Sequence, residues 1–287
     1  KFTLCGKMVL GDYMKKLAVA LIVVAGTLWG VIGYFVRRLT DMGLDSMQIV
    51  CIRMSVSAIL FTLFALIFKR DLFKIKFKDI WCFFGTGVLS VATFSFCYFK
   101  AIELSSLSMA SVLLYTAPIF VMLFSLVLFK EKLTVIKIIS LVLAFCGCLF
   151  VTGVFDFSES FNMVAALFGL MSGVCYALYS IFSRLALNRN YSPLTITLYT
   201  FIFSSLASVC VIDIKPVVSV MTKSAGDLIF CVLFAVLSSV LPYVCYTVGL
   251  KYVRASTASI IASVEPVVAT VTGAILFSEA VEFPFGY

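Results

Sequence analysis

The sequence contains no histidine, and that one absence removes much of enzyme chemistry. Ser-His-Asp triads, imidazole general bases, histidine-ligated haem and HExxH zinc sites all need a side chain this chain does not have. Charge is scarce too. Asp, Glu, Lys and Arg make up 13% of the 287 residues, about half the roughly 25% usual in soluble domains. No Cys-x-x-Cys pair occurs among the 10 cysteines, and the nearest two, Cys146 and Cys148, would point apart on a helix. Neither a disulfide framework nor a thiolate metal site is indicated, and nothing calls for a cofactor. Also missing are paired aspartates within the apolar runs and a GxSxG turn, so no nucleophile with its base can be assembled.

What fills the chain instead is apolar. Hydrophobic residues reach 63% and the mean hydropathy is +1.16. A water-soluble fold of this length still needs a polar skin, whereas a bundle in lipid is apolar inside and out. The composition is that of an all-α polytopic membrane protein. Most cysteines lie inside the apolar runs, where they act as small hydrophobes. The net charge of +8 is carried by residues between those runs rather than in one patch. That pattern suits anionic lipid headgroups and gives no reason to expect nucleic acid as a partner.

A membrane-crossing helix needs about 20 apolar residues. Nine such runs are present, at 17–36, 46–68, 80–99, 107–129, 135–154, 163–183, 194–212, 228–249 and 256–277, here called spans 1 to 9. They are apolar on every side and too long for the alternating segments of a barrel. Met14-Lys15-Lys16 resembles the start of a signal peptide, but the run after it is long and carries no small-residue cleavage site, so an uncleaved first span is expected. Residues 1–13 match no pattern elsewhere and read as a segment ahead of a natural start at Met8 or Met14. Lys and Arg are concentrated on the side of the amino terminus, most densely at Lys69, Arg70, Lys74, Lys76 and Lys78. The other side holds Arg37, Arg38, Lys100, Lys215 and Lys223. This predicts a cytoplasmic amino terminus in a plasma (inner) membrane.

The chain also repeats itself. At an offset of 148 residues, Cys97-Tyr98 falls on Cys245-Tyr246, Ser108, Ala110 and Ser111 on Ser256, Ala258 and Ser259, and Pro118 and Glu131 on Pro266 and Glu279. At an offset of 147, Gly26, Trp29, Phe35 and Arg37 fall on Gly173, Tyr176, Phe182 and Arg184. A shared proline followed thirteen residues later by a shared glutamate is hard to obtain by chance with only 6 prolines in the chain. Two repeats follow, at 14–155 and 156–287, each of five spans. An odd number of spans inverts the second copy, the architecture associated with alternating access about a midplane site. Only nine spans are visible. The tenth is expected beyond residue 287, lost by truncation or absent from a nine-helix variant.

These residues resemble the EamA-type branch of the drug/metabolite transporter superfamily. The pieces that carry the likeness are Ala25 to Gly30 (AGTLWG), Arg53, Tyr98-Phe99-Lys100-Ala101, Ala117-Pro118 with Lys130-Glu131-Lys132-Leu133, and Glu265-Pro266-Val267 with Phe277-Ser278-Glu279-Ala280. The resemblance implies ten spans in two five-span repeats and a secondary carrier, importing or exporting small metabolites, often amino acids and their derivatives.

Two charges stand out inside spans. Arg53 lies seven residues into span 2, about 10 Å deep at 1.5 Å per residue. Burying such a charge costs at least about 2.5 kcal/mol. It either faces the interior as counter-charge to a substrate carboxylate or snorkels to the headgroups. Glu265, beside Pro266 in span 9, either binds a substrate amine or carries a coupling proton, or else bonds to backbone freed by the proline. Trp29, Tyr98, Tyr115, Tyr176, Tyr179, Tyr243 and Tyr246 lie within spans, where their polar tips need partners and a central cavity would house some of them; Trp29, Tyr98, Tyr115, Tyr176 and Tyr246 complete the expected substrate-binding set. Pro118, Pro242 and Pro266 should kink spans 4, 8 and 9 and act as hinges. Glu131 and Glu279 read as span-end ion pairs, Trp81 as an interfacial anchor and most Phe as lipid-facing. The expectation is a carrier of amino acids or related compounds whose partners are its small-molecule substrate, the lipid bilayer and, as coupling ion, protons. An intramembrane enzyme and a passive channel are the competing readings.

Overall fold

The computed structural model describes residues 2–152 and 162–277. Glu279 and residues 153–161 of the connection between the repeats lie outside them. Among the described residues every regular element is a helix. Hydrocarbon offers no water to satisfy backbone groups, so only an element that bonds to itself can cross it alone.

All nine apolar runs are helical. Span 1 comprises Phe2–Gly30 and Ile32–Asp41, span 2 Ser46–Phe68, and span 3 Ile80–Phe84, Gly85–Ala92 and Thr93–Leu104. Span 4 comprises Leu107–Leu114 and Ala117–Phe129, span 5 Val135–Thr152, span 6 Met163–Asn188 and span 7 Pro193–Val209. Span 8 comprises Ala225–Ala235, Val236–Val240 and Leu241–Tyr252, and span 9 Ala255–Ala262 and Val264–Phe277. Pro193–Val209, at 17 residues, is the shortest of these spans among the described residues. A short amphipathic helix, Lys215–Lys223, lies in the connection between spans 7 and 8. It buries Val217 and Val220 between two terminal lysines.

Polar residues begin the spans because the first helical N–H groups have no partner of their own. Asp45 and Gln48 exchange side-chain to backbone bonds at span 2, a capping box, at 2.8 and 3.0 Å. Ser106, Asn162, Ser192 and Ser224 cap spans 4, 6, 7 and 8. The connections meet in two groups. Lys76 N donates to Tyr191 Oη and Lys137 Nζ to Ser256 Oγ on the face where span 1 begins. Asn162 Nδ2 donates to the Leu104 carbonyl and Gln48 Nε2 to that of Asp213 on the opposite face. Span 6 thus enters from the side opposite to span 1, and the second repeat is inverted.

The duplication is built into the helices as well. Span 4 breaks at Tyr115–Thr116 and span 9 at Ser263, which are equivalent positions, and each break stands just ahead of its proline, Pro118 or Pro266. Spans 3 and 8 both widen into π-helical turns, Gly85–Ala92 and Val236–Val240, overlapping after the 148-residue shift. Pro242 follows the second of these directly. The halves interleave: span 1 runs along spans 8 and 9, span 6 along spans 3 and 4, and span 2 along span 7. Exchanging the repeats maps this set of pairs onto itself.

Small residues allow the closest approaches. A Cβ on Gly26 would lie 2.7 Å from Val264 Cγ1, and one on Gly173 would lie 2.8 Å from Thr116 Oγ1, so spans 1 and 6 each cross the break of a span in the other half. Some phenylalanines nonetheless belong to the interior. Phe83, Phe201 and Phe234 are among the largest fully buried side chains, because the interior of a lipid bundle is as apolar as its surroundings and is filled by the same residues.

Candidate functional site

A chamber of about 630 Å³ lies between the halves. Its lining runs from the midplane to the face opposite the amino terminus, reaching Arg37 at the end of span 1, Ser46 at the start of span 2 and Thr272 near the end of span 9. Trp29, Arg53, Tyr98, Tyr115, Tyr176 and Glu265 all line it, so six of the residues singled out in the sequence share one cavity.

Span 2 carries Arg53 into the chamber, where its Nε is shut away from solvent without a hydrogen-bond partner. Such a donor costs free energy until something accepts from it. Span 9 supplies Glu265 one residue after the helix resumes at Val264. Its Oε2 accepts from Tyr176 Oη of span 6 at 3.0 Å, and this bond, rather than one to proline-freed backbone, is what the carboxylate makes. Arg53 and Glu265 lie within electrostatic reach of one another, yet no ion pair joins them among the described residues. A guanidinium and a carboxyl group are thus held apart in one cavity.

Aromatic rings form the floor and one wall. The Trp29 ring meets those of Tyr176, Tyr243 and Tyr246 at centroid distances of 6.3, 5.4 and 5.5 Å. Phe94 stacks on Tyr98 at 5.8 Å and meets Tyr176 edge-on at 5.4 Å. Tyr98 Oη and Ser111 Oγ share a hydrogen bond of 2.9 Å. These rings offer apolar faces to a ligand, while the hydroxyls of Tyr98, Tyr176 and Tyr246 are held by Ser111, Glu265 and Ser180.

One expected residue is elsewhere. Tyr246 is buried below the floor, bonded to Ser180 Oγ at 2.7 Å, and does not line the chamber. Its repeat equivalent, Tyr98, does. The structure adds Tyr243, one of the seven aromatics noted within spans but not placed in the binding set, and Phe94, which the sequence did not distinguish from other span aromatics. Below the floor the path is shut: Tyr179 Oη pairs with Thr247 Oγ1 at 2.7 Å. Near the amino-terminal face, Glu131 forms an ion pair of 3.0 Å with Lys137, and both bond to Ser256. The pair expected to be interfacial therefore joins span ends of the two halves. Trp81 keeps its interfacial place, half exposed with the Arg189 guanidinium 4.9 Å above its ring.

A model described as the EamA-like transporter family matches residues 16–153 and 163–285. Two similar proteins of Archaeoglobus fulgidus, each named an uncharacterized transporter, are both 28% identical. One match spans 276 residues, 93% of this chain and 91% of the relative, and the other 265 residues, 91% and 87%. The uncharacterized transporter YxxF of Bacillus subtilis is 26% identical over 263 residues, 90% of this chain and 81% of its own. A solved crystal structure superposes with a TM-score of 0.72, covering 92% of this chain and 90% of that one, at 15% identity, a likeness of fold.

Proposed function

The chain belongs to the EamA-like transporter family, and from that premise we propose that it is a secondary carrier moving amino acids or related small metabolites across the plasma membrane by alternating access. The observation that carries the reading is the pairing of an unbonded Arg53 Nε with the Glu265 carboxylate in one aromatic-walled chamber between inverted repeats. A guanidinium takes a carboxylate in bidentate fashion, and a carboxylate takes an ammonium group. A ligand bearing both, with an apolar body against Trp29, Tyr98 and Tyr115, would engage the guanidinium and the carboxylate together. Glu265 is also the intramembrane carboxylate best placed to carry a coupling proton. With the basic connections in the cytoplasm the chamber opens outward.

The test is counterflow by purified protein in liposomes, with labelled amino acids and an imposed pH gradient. Saturable uptake accelerated by trans substrate supports the carrier. Non-saturating flux indifferent to trans substrate would identify a passive channel and sink the proposal.

A further inference from the structure

We propose that a small void beneath the aromatic floor is the collapsed counterpart of the chamber, and that two arginine latches close the two faces in turn: Arg184 on the Leu250 carbonyl in the conformation seen here, and Arg37 on the Ile102 carbonyl in the opposite one. The inference rests on the carrier reading and names the groups that would perform its exchange.

The void has a volume of about 20 Å³ and is lined by Trp29, Tyr176, Tyr179, Ser180, Tyr243 and Tyr246 among others. The repeat offsets carry Tyr176 to Trp29, Tyr179 to Ile32, Ser180 to Gly33, Tyr243 to Ser95 and Tyr246 to Tyr98, and they return Trp29 to Tyr176. Those six counterparts line the chamber of about 630 Å³, while Ser90, Val91 and Phe94, which also line the void, carry to Ser238, Ser239 and Pro242, which do not. Six of the nine residues around the void thus stand in register with the chamber wall.

What shuts the smaller one is local. Spans 6 and 8 touch near the amino-terminal face, where Arg184 Nη1 donates to the carbonyl of the fully buried Leu250. Beside it Glu131, just after span 4, and Lys137 of span 5 both bond to Ser256 of span 9. Leu250 stands in the last turn of span 8, where a carbonyl has no N–H of its own helix to accept from and a cation is favoured. The same offsets carry Arg184 to Arg37 and Leu250 to Ile102. Ile102 stands in the last turn of span 3, and the turns match: Ser105 N bonds the Ala101 carbonyl as Val253 N bonds that of Gly249. Arg37 and Ile102 both line the open chamber, and spans 1 and 3 make no contact comparable to that of spans 6 and 8. The second latch therefore has its donor and its acceptor on the two spans that must come together when the chamber closes.

The test uses the full chain without native cysteines in sealed vesicles. Reporter cysteines replace the counterparts Gly33 and Ser180 one at a time, and a membrane-impermeant maleimide is added from each side. With intact latches, Gly33→Cys reacts quickly and Ser180→Cys slowly. Arg184→Gln is expected to raise the Ser180→Cys rate at least tenfold from the amino-terminal side and to lower the Gly33→Cys rate. Ser256→Ala should shift both in the same sense, a second route should Arg184→Gln fold poorly. Arg37→Gln should leave Gly33→Cys fully reactive while slowing exchange at least tenfold, with Arg37→Lys restoring part of the rate. Unchanged Ser180→Cys labelling in both Arg184→Gln and Ser256→Ala, or full exchange in Arg37→Gln, overturns the latches. Labelling needs no substrate, so shifted rates without counterflow would sink the carrier reading alone.

Discussion

Tyr176 holds one oxygen of Glu265, while Arg53 keeps its Nε unbonded, and the two predict different failures. Hydrogen bonds to charged groups contribute about 1.5–3 kcal/mol, a factor of about 10 to 100 in affinity. Tyr176→Phe is expected to raise KM for exchange by about tenfold, the lower end of that range, leaving the maximal rate nearly intact, because the carboxylate remains. Arg53→Ala and Glu265→Gln should abolish exchange while the protein still reaches the membrane; unchanged transport in both would remove the site and leave the fold standing. Arg53 and Glu265 were legible because a charge in an apolar run is costly and needs a reason. Phe94 was not, and Tyr243 was legible only as one of seven span aromatics, since aromatics recur along every span and only packing tells which of them face a cavity. Tyr98 and Tyr246 stand in matching contexts, Cys97-Tyr98 and Cys245-Tyr246. They are separated by conformation, which no local sequence encodes.

Among the elements, prolines announced irregular helices but not their form. Pro118 and Pro266 mark breaks that fall ahead of them, as expected when the ring denies the preceding turn a donor. The π-helical turns of spans 3 and 8 had no sequence signal beyond their shared register. Gly26 and Gly30 of span 1 have the small-xxx-small spacing that lets helices approach closely, and the structure makes that quantitative. A Cβ on Gly30 would stand 2.7 Å from the backbone oxygen of Glu265, an atom that cannot swing aside. Gly30→Ala should therefore cost about 1–3 kcal/mol, as overpacking does, and lower the melting temperature in detergent. Gly147, with nothing within 4 Å of its Cβ position, is the control. Gly147→Ala should be neutral or stabilising, since glycine within a helix costs about 0.5–1 kcal/mol relative to alanine. At the start of span 2, Asp45→Ala removes half of a capping box and should cost about 1 kcal/mol, with Asp45→Asn retaining most of it.

For the whole molecule, the inverted architecture was legible because duplication leaves register, and register survives where substitution erases identity. The direction in which the chamber opens is not a property of one half, so it had to come from the packed structure. Combined with the distribution of charge it yields a prediction about sidedness. The connection between spans 2 and 3 carries Lys69, Arg70, Lys74, Lys76 and Lys78, and cationic segments beside a span resist translocation. That connection should lie in the cytoplasm, facing anionic lipid, and the mouth of the chamber should then face outward. In intact cells, with native cysteines removed, an impermeant maleimide is expected to label Thr272→Cys in the chamber wall and to leave Lys78→Cys unlabelled until the membrane is breached. Both side chains are reachable from their own aqueous phase, Thr272 through the chamber and Lys78 from an exposed connection, so failure to label reports sidedness rather than burial. The reverse pattern would place the amino terminus outside and turn the chamber toward the cytoplasm.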